Sequence, residues 1–267
     1  MKIGIRCVGG IGNQCFQWAT ARAVALHNEA ELYIDKSYYD SPRPYPFPYE
    51  LDNFSIEAPV RRCIGTQVKE PHYHYSPHIV REYTEDIWLN GYFQSEKYFK
   101  DIRDVLLGDF CLKRRPSHLC QQWEKTIRET KFPVAVHIRR GERVNEPTAR
   151  RMHGLISAEY YMEAMEIVEQ NAPKEPTWII FSDDPEWVMK FSPYNDVVVG
   201  TSAPEDMYLM SLCRGAIIAN SSFSWFGAWL GRPDNIVVAP ENWNCGRTDN
   251  TKDVLPDEWI KIKAKYL

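Results

Sequence analysis

Val134-Ala-Val-His-Ile-Arg-Arg-Gly-Glu142 is a short apolar, β-branched run that stops abruptly in a histidine, two adjacent arginines, a glycine and a carboxylate. Alternate residues of a strand share a face, so His137 and Arg139 point one way and Arg140 the other for as long as the strand lasts. Two cations at the C-terminal end of a strand are not a packing pattern. They suggest a site for an anion of high charge density, because arginine is rarely buried unpaired and its planar fork suits phosphate. The alternative is a pair of arginines bridged to nearby acids.

Outward from this stretch the second half of the chain alternates. A polar loop, 143–156, follows the strand. Ser157 opens a helix through Asn171, with Tyr161, Met165 and Val168 at helical spacing. Thr177–Phe181 is a strand, and Asp184-Pro185 caps and starts a helix. Asp196–Val199 is a strand. Ser202-Ala-Pro-Glu205 is a capping box that opens a helix stopped at Gly215. Ala216–Ala219 is a strand, Asn220-Ser221-Ser222 opens the helix Phe223–Leu230, and Ile236–Ala239 is the last strand. Such alternation predicts a parallel sheet covered by helices, with ligands beyond the strand C-termini.

The first half begins the same way. Lys2–Val8 is a strand, Gly9-Gly10-Ile11-Gly12-Asn13 a turn, and Gln14–Asn28 a helix with Ala19, Ala23 and Leu26 on one face. Strand, glycine turn and helix form a cradle for an anion. The turn lacks the Lys-Ser/Thr of a P-loop, and Cys15 stands where a dinucleotide fingerprint has its third glycine. A tight turn needing positive φ is the alternative. Glu31–Asp35 is the second strand. Ser41-Pro-Arg-Pro-Tyr-Pro-Phe-Pro-Tyr49 can be neither helix nor central strand and reads as an exposed, semi-rigid loop. Ile87–Asn90 is strand-like, and a helix with Ser95 as its N-cap follows, with Tyr92 and Phe93 either lining a ligand cleft or filling the core. Ser117–Thr130 is helical, and Lys131-Phe132-Pro133 marks the domain boundary, dividing 1–132 from 133–267.

Composition narrows the function. The chain has 267 residues, 44% hydrophobic and 25% charged, with a net charge of −4, which argues against a nucleic-acid partner and makes any anion site local. Nine Trp and fifteen Tyr fit a carbohydrate-facing protein, although aromatic residues mostly fill cores. Seven cysteines, an odd number without a CxxC pair, read as reduced thiols of a cytosolic chain. No apolar run approaches the ~20 residues that span a bilayer. His72, His74 and His78 lack the partners of a ligand set, so no metal site is expected.

The polar residues at the strand ends are Gly10, Gly12 and Asn13 in the first half. In the second they are His137, Arg139, Arg140 and Glu142, then Ser182 and Asp183, then Asn220, Ser221, Ser222 and Ser224. Arginine, a helix N-terminus and a glycine turn around one crevice point to a nucleoside diphosphate. Asp183 and Asp206 can accept guanine N–H groups or ribose hydroxyls, or can serve as helix caps.

Five blocks carry a family resemblance: Gly9–Gln14 (GGIGNQ), Gly91–Phe99 (GYFQSEKYF), His137–Glu142 (HIRRGE), Phe181–Pro185 (FSDDP) and Asn220–Leu230 (NSSFSWFGAWL). In this order they resemble glycosyltransferase family 11, the alpha-1,2-fucosyltransferases. Segment 35–85 and the tail after Gly246 match no motif. The resemblance implies an α/β, GT-B-like fold of two Rossmann-type domains facing a central cleft. Domain 1–132 would take the acceptor and domain 133–267 the GDP-fucose. It implies inverting, metal-independent transfer of L-fucose from GDP-β-L-fucose to the 2-hydroxyl of a terminal galactoside, with no cofactor.

The same resemblance places His137 and Arg139 on the pyrophosphate, Ser221, Ser222 and Ser224 on phosphate or ribose, and Asp206 on guanine. Gly10, Gly12, Asn13, Gln14, Asp183 and Asn220 complete the expected nucleotide site. Arg139, His137 and Glu142 are the expected catalytic residues. Without Mg²⁺, arginine and helix N–H groups must stabilise the charge growing on GDP. Glu142, close to Arg139, is the first candidate for the base; an ion pair with Arg140 or Arg143 is its alternative. The family motif usually ends in Asp at this position. Other readings are a GT-B transferase with a different nucleotide sugar, a non-catalytic sugar-binding protein of the same fold, and an NAD-dependent oxidoreductase, which leaves the HIRR block unexplained. The expected partners are GDP-fucose and a galactose-terminated oligosaccharide or lipid-linked glycan. A bacterial cytoplasmic enzyme of lipopolysaccharide biosynthesis is the expected setting, with peripheral attachment to the inner membrane left open.

Overall fold

The structure is a computed structural model and describes residues 1–42, 47–191, 196–244 and 251–267. The chain divides into two compact units. One is Met1–Arg114 with Lys252–Pro256, the other Arg115–Thr251 with Asp257–Leu267. The division falls ahead of the break expected at Pro133.

The first unit holds β1 (Lys2–Arg6), α1 (Ile11–His27), β2 (Glu31–Asp35), β3 (Thr66–Lys69), β4 (Ile87–Asn90) and α2 (Arg103–Asp109). Its strands form one parallel sheet in the order β2-β1-β4-β3. Gly9 takes φ +78°, and a Cβ there would lie 2.7 Å from the Asn13 amide, so only glycine fits the turn. Gly10, extended, is the N-cap of α1. The helix is buried on most of its faces, through Cys15, Phe16, Trp18, Ala21 and Val24, while Leu26 of the expected stripe is exposed. The helix expected from Ser95 is a pair of 3₁₀ turns leading into α2, with Ser95 Oγ accepting the Lys97 N–H. Residues 43–46, the centre of the proline-rich stretch, lie outside the described residues.

In chain order the second unit holds α3 (His118–Glu129), β5 (Pro133–Ile138), α4 (Gly141–Asn145), α5 (Pro147–His153), α6 (Ala158–Asn171) and β6 (Thr177–Ser182). It continues with α7 (Pro185–Phe191), β7 (Asp196–Val198), α8 (Ala203–Leu212), β8 (Gly215–Ile217), α9 (Ser222–Trp229), β9 (Ile236–Pro240) and β10 (Ile260–Ile262). Six parallel strands run in the order β10-β9-β8-β5-β6-β7. Helix α3 packs on α8, and Glu205 accepts the Ser117 N–H at 2.6 Å, which is why the boundary moves ahead of Pro133. The stretch read as a polar loop folds into α4 and α5, the latter started by Pro147 and ended by Gly154 at φ +67°. Ile236–Ala239 is not the last strand, because β10 pairs beside β9.

Val134, Val136, Ile180, Ile217 and Val238 pack with Tyr160, Ala164 and Val168 of α6. Of the expected line, Tyr161 and Val168 are buried and Met165 is partly buried against the same cluster, with Tyr160 and Ala164 widening the buried face. Ala135, Ile179, Phe181 and Ala216, on the alternate face, are buried as well. A parallel sheet covered on both faces leaves its strand ends as the places for polar side chains. No helix among the described residues is long and apolar enough to cross a membrane.

The buried Tyr160 hydroxyl donates to the Ile218 carbonyl at 2.7 Å, tying α6 to the residue after β8. Tyr160→Phe leaves that carbonyl without this donor and is expected to lower stability by about 1–1.5 kcal/mol in urea unfolding.

Candidate functional site

In the six-stranded sheet the chain order reverses between β5 and β8. From β5 the chain runs to β6 and β7 on one side, and from β8 to β9 and β10 on the other. Ligands of open parallel sheets bind outside the strand C-termini at such a reversal. The end of β5 brings His137 and Arg139 there, and the end of β8 brings Asn220, Ser221 and the N-terminus of α9. The two meet directly, since the His137 ring lies 5.2 Å from that of Phe223.

His137 is buried, and burial together with the charges of Arg139 and Arg143 pushes its pKa down to about 3. The ring is neutral at any physiological pH. Its Nδ1 is buried and has no hydrogen-bond partner among the described residues.

Arg139 stands between two carboxylates. Its Nη2 is 2.5 Å from Glu142 Oε2 and its Nη1 is 2.6 Å from Asp183 Oδ2. Asp183 also accepts the Arg140 N–H at 2.8 Å. This closure depends on Gly141, which takes φ +30° and whose added Cβ would sit 2.4 Å from Asp183 Oδ2. Burial pushes the Glu142 carboxyl up, but the charge and hydrogen bond of Arg139 outweigh it and hold the group below the usual carboxylate range. Glu142 is thus ion-paired, with Arg139 rather than with Arg140 or Arg143. Arg140 turns away to Asp184 at 3.0 Å and lies 3.8 Å above the Trp187 ring. Asp184 Oδ1 accepts the Trp187 N–H and so caps α7.

Arg143, buried, was not among the expected site residues. Its guanidinium donates to the Asn220 side-chain oxygen and, at 2.9 Å, to the Asn220 carbonyl. Burial lowers its pKa to about 10, so it stays charged. Asn220 Nδ2 in turn donates to the carbonyls of His153 and Trp243. Asn220 is therefore a buried hub whose side-chain amide is used inside the protein. Ser224 is likewise turned inward, its hydroxyl donating to the Ala219 and Ser221 carbonyls. Ser221 and Ser222 remain half-exposed at the start of α9, beside the unpaired N–H groups of its first turn.

Asp206, in the first turn of α8, accepts a hydrogen bond from Thr201 Oγ1. Burial raises its pKa to about 6 against that bond, with Glu205 adding to the rise.

In the first unit Gly10 and Gly12 open α1, and Asn13 Oδ1 accepts the Gln94 amide at 2.8 Å. Gln14 is fully buried, and its amide is used on the backbone. It donates to the Gly9 and Pro48 carbonyls and accepts the Glu50 N–H, fastening the C-terminal end of the proline-rich stretch.

Comparison with known proteins follows the same lines. The model of glycosyl transferase family 11 matches residues 2–263. Two relatives from Escherichia coli are each 30% identical. The O-antigen biosynthesis glycosyltransferase WbnK aligns over 95% of this chain and 98% of its own length, and an alpha-1,2-colitosyltransferase over 97% and 98%. The crystal structure of the fucosyltransferase NodZ from Bradyrhizobium superposes with a TM-score of 0.55 at 15% identity, covering 86% of this chain and 93% of NodZ. The fold is GT-B.

Asn220→Ala strips the buried Arg143 of its side-chain acceptor and two carbonyls of their donor. It is expected to cost about 3–5 kcal/mol in chemical denaturation.

Proposed function

Because the chain belongs to glycosyl transferase family 11, we propose that it is an inverting, metal-independent alpha-1,2-fucosyltransferase, moving L-fucose from GDP-fucose to the 2-hydroxyl of a terminal galactoside. The observation that carries this reading is the meeting, through His137 and Phe223, of the β5 end that leads to Arg139 with the α9 N-terminus at the strand-order reversal of the second unit. Arg139 and the first N–H groups of α9 take up the charge that grows on the diphosphate as the bond to fucose C1 breaks. Neutral His137 contributes a hydrogen bond and no charge. Ser221 and Ser222 are the hydroxyls available to phosphate or ribose, and Asp206 accepts the guanine N–H groups.

The carboxylates on Arg139 define how the donor enters. The diphosphate takes the place of Glu142 on the guanidinium. Freed from Arg139, Glu142 regains basicity and accepts the proton of the acceptor hydroxyl as that oxygen attacks C1. The first unit is the acceptor side. The relative named for O-antigen biosynthesis supports a bacterial setting, cytoplasmic in this reading, with a lipid-linked or lipopolysaccharide-precursor glycan as acceptor.

A second donor is favoured by the colitosyltransferase relative. Colitose is fucose without its 3-hydroxyl, so the phosphate chemistry is shared and only the sugar pocket differs. Parallel turnover of GDP-fucose and GDP-colitose separates the two.

The reading is tested by calorimetry with GDP and by transfer to lactose. Arg139→Ala is expected to lower kcat by roughly 10²–10³-fold. Glu142→Gln is expected to split its effects, with GDP bound roughly fivefold more tightly because a competitor for Arg139 is gone, and kcat reduced about 10²-fold or more because the base is gone. Undiminished transfer by the Arg139 variant sinks the pyrophosphate assignment. Weaker GDP binding by the Glu142 variant sinks the exchange.

The raised pKa of Asp206 sets a pH dependence. Only the ionised carboxylate accepts guanine N–H groups, so GDP affinity is expected to fall roughly tenfold from pH 7 to pH 5. Asp206→Asn should flatten that profile. The folded-state pKa is raised, so ionisation of Asp206 costs stability as pH rises through about 6, and the Asn variant should gain thermal stability above that pH.

A further inference from the structure

Among the described residues, carboxylates pair with Arg139 and with Arg140 but not with Arg143. Arg143, in α4, is 4% exposed. Its hydrogen bonds all go to neutral oxygens: the Asn220 side chain, the Asn220 carbonyl at 2.9 Å and the Gly154 carbonyl at 3.4 Å. Its Nε is buried and has no hydrogen-bond partner among the described residues. Glu142 and Asp183 act on the guanidinium only from beyond contact, and the charge of Arg139 opposes them.

A tie between α4 and the end of β8 does not need a charge. A neutral amide can donate to the same oxygens, whereas a buried cation without a carboxylate is costly. The position of the charge gives it a use. Asn220 immediately precedes Ser221, the N-cap of α9, so the guanidinium stands one peptide group behind that helix end. The unpaired N–H groups and the dipole of α9 already make this end positive. The His137 ring, packed 5.2 Å from that of Phe223 in the first turn of α9, is neutral and adds no charge. Arg139, in turn, shares its charge with two carboxylates. Arg143 therefore supplies this end of the sheet with a cation that no carboxylate cancels at contact distance. In a buried setting such a charge is poorly screened and acts beyond its own contacts.

We infer that Arg143 is an electrostatic positioning residue for the nucleoside diphosphate: from behind the α9 N-cap it fixes the helix end through Asn220 and, without touching the ligand, adds its charge to the field that holds the phosphates and steadies them as a leaving group. The inference deepens the transferase reading and rests on it for the place of the diphosphate.

The experiment is calorimetry on the full-length protein with GDP, GMP and guanosine, which share a base and differ in charge. Arg143→Gln keeps a donor amide and removes the charge. It is expected to raise the Kd of GDP roughly tenfold, that of GMP less, and that of guanosine by no more than about twofold. Arg143→Lys keeps the charge and removes the fork, and at pH 7 should bind GDP within about threefold of the wild type. A buried lysine there is lowered in pKa by desolvation and by Arg139, with Glu142 and Asp183 opposing. His137, His153 and Tyr161, which also act on or are acted on by Arg143, are neutral between pH 7 and pH 9. Relative to the wild type, GDP affinity of the lysine variant should therefore fall as pH rises across that range.

Wild-type GDP affinity in Arg143→Gln overturns the inference, and so does a loss equal for all three ligands. A lysine variant as weak as the glutamine variant, with a loss that does not change with pH, also overturns it, because that is the mark of a tie with no electrostatic part. If Arg143→Gln does not fold, the pH profile of Arg143→Lys decides alone. A wild type that binds no GDP removes the donor site and this inference with it. A protein that shows the charge-graded loss yet never transfers fucose keeps the inference and removes the transferase reading, so the two can fail separately.

Discussion

Arg139 between Glu142 and Asp183 is the interaction on which the rest of the second unit's site depends. One guanidinium joins the end of β5, the first turn of α4 and the end of β6. The two ion pairs are partly buried, where opposite charges are less screened than at the surface. Much around them can be read as support. Gly141 lets the Asp183 carboxylate close over the turn. Arg140 is drawn off to Asp184 and Trp187, so it does not compete for Asp183 with its own guanidinium. Arg143 is taken up by Asn220, which fixes the end of β8 against the end of β5. Three arginines within five positions thus have separate sets of side-chain partners.

That distribution explains which parts of the site were legible in the chain. Alternation of short apolar runs with helical patterns was enough for the parallel sheets, because buried parallel strands are apolar throughout and their helices carry clear caps. Asp184-Pro185 and Ser202–Glu205 lie where such signals place them. The failures are local and physical. β10 is only Ile-Lys-Ile, too short to separate strand from loop by pattern. β3 is a largely exposed edge strand without an apolar face. α4 and α5 are short and polar, and their packing is carried by one buried arginine rather than by an apolar stripe. For the site, residue types at the strand ends located the crevice but could not assign partners. Asn220, Gln14 and Ser224 are polar residues at the right ends of the right elements, yet their side chains are used inside the protein, on the backbone and, for Asn220, on Arg143 as well. Partner choice depends on distances between segments far apart in the chain. The clue available in advance was Gly141, a glycine placed between cations and a carboxylate.

The two units use the same device on different chemistry. Each is a parallel sheet, and in each a carboxylate just beyond a strand end organises the adjoining loop. In the second unit Glu142 and Asp183 face a guanidinium, so the edge is electrostatic. In the first unit Glu70 faces two backbone N–H groups, so the edge is a rigid turn with aromatic rings on it.

Under the proposed function, the paired state of Arg139 also bears on selectivity. The guanidinium is already satisfied by two carboxylates, so an anion gains only the difference between its own interactions and those it displaces. A singly charged anion exchanging with Glu142 replaces one carboxylate-like contact with another and gains little. A diphosphate carries more charge and spans further, so it can hold Arg139 while its other oxygens meet the N–H groups of α9. The carboxylate that leaves then becomes available as a base at the moment the donor is in place. A site whose cation were free would bind many anions; one whose cation must be taken from Glu142 favours the ligand that reaches both Arg139 and the helix end.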